Sequence, residues 1–383
     1  MGWSYRVATI RGIDLKVHAT FALIVVVVAS NWSTFGPAGI AYGAGLVLLL
    51  FGCVTLHEFG HAIAAQRYGI PVREIVLLPI GGIAFLGRPT RSAIQELVIA
   101  AAGPVVNVAI IALLVPMLWL LGEPLTVGPA LLRPNGATLS PTGALHWLFG
   151  ANISLVLFNL IPAFPLDGGR ILRGLLGLRM EWSVATRWAT TIGQGLAMSM
   201  GIWSLLRGEL MLGVVAAMVF FAAAATQAEE RGYRALATQR VGEACNRHAL
   251  VLRESDQVST VIRYLLTSYQ PDFAVMRGAQ LLGVVRRSLI FEVLARHSED
   301  VAVSTIMSAP PRIAADQSLA DARQLLSEAP SSVAAVFADG HFVGLVSAED
   351  IAEAEAVLGF GAAESDARPP ADPLRAVAWP ARA

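Results

Sequence analysis

The segment LVLLLFGCVTLHEFGHAIAA, residues 46–65, decides the fold because it combines a membrane-length apolar run with the pattern H-E-x-x-H at His57, Glu58 and His61. About 20 predominantly apolar residues are enough for a helix to cross a membrane. Two histidines four residues apart share one helix face and suit zinc, and the glutamate between them suits a general base for water. A charge at this depth costs about 2.5 to 3.5 kcal/mol on insertion, so Glu58 predicts a functional site that water reaches.

The composition indicates a membrane protein with an attached water-soluble part. Of the 383 residues, 55% are hydrophobic and 15% are charged, and the mean hydropathy is +0.60. Charged residues are sparse before about Ala228 and common after it. The formal net charge of zero says nothing useful about partners. We predict no nucleic-acid partner. The two cysteines, Cys53 and Cys245, make a disulfide framework implausible.

Six apolar runs predict a polytopic α-helical membrane domain of about six transmembrane helices within residues 1–230. The runs are residues 17–32, 38–66, 94–121, 144–161, 184–205 and 210–226. Most arginines and lysines of this half lie in loops on one side of the arrangement, which the positive-inside rule places in the cytoplasm. We therefore predict a multi-pass protein of the cytoplasmic (inner) membrane with both termini in the cytoplasm.

The two histidines need a third partner, because catalytic zinc usually has three protein ligands and one open position. The best candidate is Asp167 in NLIPAFPLDGGR, residues 159–170, where two prolines and two glycines break the fourth apolar run. Broken helix at membrane depth is tolerated only where protein buries it or where it lines a wet cavity. Asp167 and His61 both fall near the cytoplasmic ends of their runs, so we expect them to meet.

Three motifs, in order, resemble those of the site-2 protease family of intramembrane zinc metalloproteases, including sporulation-type members that carry a CBS-domain pair. They are HEFGH at residues 57–61, AGPVVN at 102–107 and NLIPAFPLDGGR at 159–170. The resemblance implies that His57, His61 and Asp167 bind one Zn²⁺ per chain. It implies that Glu58 is the general base and that Asn159 positions the water or stabilises the oxyanion.

The same resemblance extends to the substrate. It implies regulated intramembrane proteolysis of a membrane-tethered protein, of the anti-sigma factor or transcription-factor precursor type. LLPIGGIAFLG, residues 77–87, resembles the glycine-rich, membrane-associated hairpin of the family. An exposed strand edge holds an unwound substrate by strand addition. We therefore predict that Gly81, Gly82 and Ile83 bind the substrate.

The water-soluble half repeats itself with a period of about 60 residues, which predicts two copies of one supersecondary unit. Asp256-Gln257 and Asp316-Gln317 open matching helices, and each copy continues with two β-rich runs around a turn at Gly278 or Gly340. The pattern resembles a tandem CBS-domain pair, an α/β module that we place in the cytoplasm at residues 240–357, with copies at 240–297 and 301–357. The resemblance also allows a homodimer through these domains.

The second copy alone keeps the residues that the CBS resemblance associates with adenine nucleotides. GLVSAED, residues 344–350, has Ser347 to face phosphate and Asp350 to hold ribose, whereas the first copy reads GVVRRSL at 283–289. Ser347 and Asp350 also fit an ordinary helix start, so a purely structural module is an equal alternative. The tail, residues 361–383, lacks hydrophobic periodicity, and we predict that it is disordered.

Two other functions are compatible with an intramembrane charged cluster. One is a CBS-regulated transporter or channel with an ion pathway or transport site formed by His57, Glu58, His61 and Asp167. The other is a catalytically inactive scaffold, which the presence of every presumed ligand and of Glu58 disfavours. Asn107 fits either a helix–helix contact or a role near the site. Cys53, one turn before His57, fits a small buried thiol better than it fits a ligand.

Overall fold

The computed structural model describes residues 3–79, 81–87, 90–125, 139–247, 249–267, 270, 272–296 and 300–367. The chain divides into two compact units, Met1–Ala228 and Glu229–Ala383. Helices and strands are numbered in chain order.

A four-stranded sheet forms part of the first unit. Its order is β1 (Ser4–Ile10), β2 (Ile13–His18), β3 (Val72–Leu78), β4 (Gly81–Leu86). The pair β2–β3 is parallel and the other two pairs are antiparallel. Arg11 and Gly12 join β1 to β2 with φ of 53° and 78°, the left-handed values that a tight two-residue hairpin turn needs. The strands β3 and β4 form the hairpin predicted at residues 77–87.

The helices of the first unit include four stretches long and apolar enough to cross a membrane, by length and composition: Phe21–Arg67, Ala93–Leu120, Pro141–Asn159 and Leu210–Thr238. The helices are α1 (Phe21–Ala29), α2 (Gly36–Arg67), α3 (Ala93–Leu120), α4 (Pro141–Asn159), α5 (Asp167–Gly177), α6 (Trp182–Arg207) and α7 (Leu210–Thr238). About six transmembrane helices were predicted, and these four stretches in the described residues do not confirm that number.

Two of the predicted spans differ from the four stretches in the structure. The predicted first span, residues 17–32, begins too early, because residues 13–18 form β2. A 3-10 segment, Ser30–Phe35, then joins α1 to α2, and the ring of Phe21 lies 4.5 Å from that of Phe51, so α1 folds back along α2. The predicted fifth span corresponds to α6, which buries Ser183, Thr186 and Thr190 and is not among the four apolar stretches.

The break predicted in the fourth apolar run is present. Helix α4 ends at Asn159 and α5 begins at Asp167, with Pro162 and Pro165 in the turn between them. A side chain at Gly168 would place Cβ 2.3 Å from the carbonyl O of Ile161, so only glycine lets the turn fold this closely onto α5. The fold thereby fixes Asp167 in the first turn of a new helix.

The second unit contains two similar α/β halves. The first has β5 (Val251–Arg253), α9 (Val258–Thr267), β6 (Asp272–Arg277), β7 (Gln280–Arg286) and α10 (Arg287–Arg296); the second has β8 (Arg312–Ala314), α11 (Leu319–Glu328), β9 (Val333–Ala338), β10 (His341–Ser347) and α12 (Ala348–Ala367). In each half the first strand pairs parallel to the second, and the second pairs antiparallel to the third. The internal repeat predicted from the sequence is therefore visible as one topology used twice.

The halves of the second unit pack their sheets together. Ala274 and Val284 of the first half share a buried cluster with Ala335 and Leu345 of the second. The short helix α8 (Val241–Ala244) precedes β5. Helix α12 reaches Ala367, so the first seven residues of the tail predicted to be disordered are helical, and residues 368–383 lie outside the described residues.

Candidate active site

The H-E-x-x-H residues lie in the interior of α2, where helical spacing puts the two histidines on one face. His57 and His61 are each 6% exposed, and their ring centroids are 4.7 Å apart. Their Nε2 atoms are 3.1 Å apart. The local sequence therefore produces two converging nitrogens on one buried face of the helix.

Each histidine uses Nδ1 for a hydrogen bond inside the protein. His57 Nδ1 lies 2.5 Å from Oδ1 of Asn107, and His61 Nδ1 lies 2.7 Å from the carbonyl O of Ile99. Because an amide or carbonyl oxygen only accepts, Nδ1 carries the hydrogen in both rings. The Nε2 atoms then present lone pairs, in the tautomer that a metal ligand requires.

A chain of buried amides continues from His57 across three helices. Asn107 Nδ2 donates to Oδ1 of Asn152 at 2.8 Å, and Asn152 Nδ2 donates to the carbonyl O of Leu148 at 2.8 Å and to Sγ of Cys53 at 3.5 Å. Asn107 therefore joins helices and also orients His57, so both interpretations of this residue apply. Cys53 is a buried hydrogen-bond acceptor outside the cluster of converging donors.

Asp167 completes a group of three potential zinc ligands with the histidines. Its Oδ2 atom is 3.1 Å from His57 Nε2 and 3.2 Å from His61 Nε2. Tetrahedral zinc with ligand distances of about 2.0–2.2 Å separates its ligand atoms by about 3.3–3.6 Å. Three lone-pair donors packed this closely repel one another unless a cation lies between them. The donor set suits zinc, and its separations of 3.1 to 3.2 Å lie within about 0.2 Å of the lower end of that range.

Gly103 of α3 lies against the two histidines. A Cβ atom there would be 2.3 Å from His61 Nε2 and 2.6 Å from His57 Nε2. A side chain at Gly60 of α2 would in turn lie 2.7 Å from the carbonyl O of Ala102, so the two helices approach closely through glycines on both sides. The second motif, AGPVVN, therefore serves the zinc site through Gly103 as well as through Asn107.

Glu58 and Asn159 line one cavity with the three potential ligands. The cavity has a volume of about 530 Å³, and its other lining residues include Leu155, Phe158, Leu166, Arg170 and Met218. Asn159 ends α4 and Asp167 begins α5, so the helix break carries both into the site. Every predicted catalytic and metal-binding residue thus lies at this cavity.

The β3–β4 hairpin forms another wall of the cavity through Gly81, Gly82 and Ala84. A Cβ at Gly82 would lie 2.5 Å from Cγ of Glu58, so the strand backbone rests directly on the glutamate. Ile83 pairs with Val76 of β3. The order of the sheet puts β4 at an edge, beside the acidic side chain.

Ser347 and Asp350 make a local helix cap. The backbone N of Ser347 donates to Asp350 Oδ2 at 2.8 Å, and the backbone N of Asp350 donates to Ser347 Oγ at 3.0 Å. Ser318 and Asp321 make the same reciprocal pair at the start of α11. Both pairs are capping boxes, so the structural interpretation of the GLVSAED motif has direct support.

The surroundings of Asp350 are acidic. Burial raises the pKa of Asp272 to about 6; Arg286 opposes the rise, and Glu349 and Asp350 add to it. The carboxyl groups of Asp272, Glu349 and Asp350 therefore lie close enough together to interact electrostatically. Hydroxyl groups suit such a surface better than phosphates do, because the carboxylates accept hydrogen bonds and repel anions.

Several residues of the site were not identified as functional from the sequence. They are Gly103, Asn152, Glu96 and Arg170. The role of each arises from the packing of separate helices against one another, and the spacing of residues along one helix does not predict that packing. Two were signalled in part, since Glu96 and Asn152 are polar residues within predicted apolar runs, where such residues mark functional or packing contacts.

Comparison with known proteins identifies the family. The sequence model described as peptidase family M50 matches residues 45–130 and 121–202, and that of the CBS domain matches residues 303–357. The chain is 29% identical over 365 residues to zinc metalloprotease MJ0392 of Methanocaldococcus jannaschii, covering 94% of this chain and 98% of the relative. It is 26% identical over 180 residues to stage IV sporulation protein FB of Bacillus subtilis, covering 46% of this chain and 56% of that protein.

A solved structure gives a further match. The site-2 protease from Methanocaldococcus jannaschii is 36% identical, with 59% of this chain and 95% of that chain covered and a TM-score of 0.42. The peptidase family model and the zinc metalloprotease relative favour a protease over the transporter interpretation. The chain belongs to peptidase family M50, the site-2 proteases, and is an intramembrane zinc metalloendopeptidase with a C-terminal CBS module.

Proposed function

We propose that this protease cuts a membrane-tethered protein within or beside its transmembrane segment, at the cavity that holds His57, His61, Asp167 and Glu58. One observation carries the proposal. Three potential ligands, His57, His61 and Asp167, converge beside Glu58, which lies on the apolar helix α2. Water-soluble substrates do not need a site at this depth, whereas a transmembrane helix reaches it by lateral movement in the membrane.

The residues divide the chemistry among them. A bound zinc ion supplies Lewis-acid polarisation and makes water nucleophilic near neutral pH. Glu58 takes a proton from the attacking water and passes it to the leaving amine. Asn159 donates a hydrogen bond from its amide to the water or to the oxygen that becomes negatively charged. Asn107 and the carbonyl of Ile99 hold the two histidines in the required tautomer.

The edge of β4 presents the substrate. A helix must unwind before its peptide bonds become accessible, and unwound backbone at membrane depth needs hydrogen-bond partners. Strand addition to β4, with contacts at Gly81, Gly82 and Ile83, supplies those partners beside Glu58. Glycine at position 82 lets the backbone of β4 approach Glu58 closely, because a Cβ there would collide with the glutamate side chain.

The zinc-loaded full chain in lipid nanodiscs tests this function. We expect it to cleave single-pass test proteins, with product termini that mass spectrometry maps to the transmembrane segment or its first flanking residues. A zinc chelator is expected to abolish cleavage and added zinc to restore it. Cuts that map only to water-soluble segments of the test proteins would contradict the proposal.

We also propose that both termini and the CBS module lie in the cytoplasm, which the arginine and lysine distribution supports. The chain passes between the two units within α7.

Residues 240–357 are proposed as a regulatory module that binds an adenine nucleotide, with Asp350 accepting hydrogen bonds from ribose hydroxyls. Dimerisation through this module and an anti-sigma factor or transcription-factor precursor as substrate remain predictions.

Nucleotide binding has a sharp test because two equivalent helix caps are available. ATP or AMP at about 100 times its dissociation constant is expected to raise the melting temperature of the full chain by about 5 °C or more. Asp350→Ala should abolish this rise. Asp321→Ala, which removes the same cap on α11 at a cost of about 1 kcal/mol, should keep it. No rise in the wild type, or an equal rise in the Asp350 variant, would favour a purely structural module.

A further inference from the structure

Arg170 is the one arginine or lysine among the described residues that line the active-site cavity. It follows Asp167 by one helical turn in α5, and its Nη1 atom lies 3.9 Å from Oδ1 of Asp167. Its Nε donates to Oε1 of Glu96 at 3.1 Å. A guanidinium carries five N–H donors, and within the described chain only the Nε donor has an acceptor at hydrogen-bond distance.

A second arginine balances the charge of Glu96. Arg173 Nη2 donates to the same Oε1 atom at 2.6 Å, and the guanidinium lies 5.0 Å from the ring of Phe164 and 4.8 Å from that of Trp182. Glu96 is 1% exposed, so its carboxylate is stable only with such partners. Two arginines share the carboxylate of Glu96, so this carboxylate balances only one of their two charges. Arg170, which also lies 3.9 Å from Asp167, lines the cavity.

Peptide hydrolysis creates negative charge at this place. When water adds across the peptide bond, its hydroxyl joins the carbonyl carbon, the C–N bond breaks and the amine leaves with a proton. The carbonyl oxygen becomes anionic on the way, and one product ends in a carboxylate. Anions in a site that lipid surrounds need charged or N–H partners from the protein.

We propose that Arg170 is a substrate-binding residue that binds the carboxylate which cleavage creates, and before it the anionic oxygen. The assignment rests on the proposed peptidase site. Glu96 holds the guanidinium at the cavity wall, and a guanidinium fork matches the two oxygens of a carboxylate. The amide of Asn159 donates to the same oxygen but carries no charge, and Glu58 and Asp167, which also line the cavity, are carboxylates that repel an anion.

The test compares two product analogues on the zinc-loaded full chain. The analogues are acetylated leucine–alanine hexapeptides that end in a carboxylate or in a carboxamide, and binding affinity is measured for each. Arg170→Gln is expected to lower the ratio of acid to amide affinity by about tenfold or more, since a hydrogen bond to a charged group is lost. Arg173→Gln loses a bond to the same Glu96 atom but lies off the cavity, so it should change the ratio less than twofold.

An equal decrease of the acid-to-amide affinity ratio in Arg170→Gln and Arg173→Gln would show an indirect effect through Glu96 and overturn the proposal. An unchanged ratio in Arg170→Gln would also overturn it. Arg170→Leu is made in parallel, so that a folding defect in one variant leaves the other to decide. Wild-type protein that cleaves test proteins but does not prefer the acid refutes the role of Arg170 alone. Protein that prefers the acid but cleaves nothing refutes the proposed function instead.

Discussion

The Glu58→Gln variant is expected to bind about one zinc per chain and to cleave a tethered test protein about 10²- to 10⁴-fold more slowly than the wild type. Glutamine keeps the size and shape of the side chain but accepts no proton from water at neutral pH. Glu58 is not one of the three converging donors, so metal binding has no reason to change. Metal analysis of the purified protein and initial cleavage rates in nanodiscs measure the two quantities.

Glu74→Gln is a suitable control for this variant, because Glu74 lies on β3 in an ion pair with Lys16 and does not line the cavity. It should retain both zinc and near wild-type cleavage. Wild-type cleavage by Glu58→Gln would remove Glu58 from the mechanism. Loss of zinc in that variant would instead make Glu58 a ligand and would require a different base.

The zinc site shows which features a sequence predicts. The spacing of His57 and His61 is local, because one helical turn places both on one face whatever surrounds the helix. Asp167 is 106 residues from His61 along the chain. It was still predictable, because prolines and glycines break an apolar run beside it, and broken helix at membrane depth is tolerated only where protein buries it or where it lines a wet cavity. Its contact with both histidines at 3.1 and 3.2 Å depends on how α5 packs, which the sequence pattern did not give.

The features that were not predicted arise from packing between elements. Gly103 matters only because α3 approaches α2 at the histidines, and glycine is common in transmembrane helices wherever two backbones pack closely. The first strand pair was missed because the apolar residues of β2 run directly into those of α1. The Arg11-Gly12 turn was its available signal, since a glycine between alternating segments is typical of a hairpin.

The Gly103→Ala variant is expected to lose zinc affinity by about 10- to 100-fold or more and to lose detectable cleavage at ordinary zinc concentrations. The added Cβ would lie 2.3 Å from His61 Nε2 and 2.6 Å from His57 Nε2, closer than any contact allows. Rotation of either ring would break its Nδ1 hydrogen bond. Withdrawal of α3 would open the α2–α3 contact at Gly60, where the helices already approach closely.

Gly52→Ala separates this effect from the general consequences of replacing a helical glycine. Gly52 lies on α2, and nothing is within 4 Å of a Cβ placed there. Alanine at such a position favours the helix by up to about 1 kcal/mol, so this variant should melt no lower than the wild type and retain full zinc binding and activity. Zinc titration of chelator-treated protein measures both affinities. If Gly103→Ala binds zinc as tightly as Gly52→Ala, the histidine nitrogens do not converge on a metal beside α3, and the site must be assembled differently.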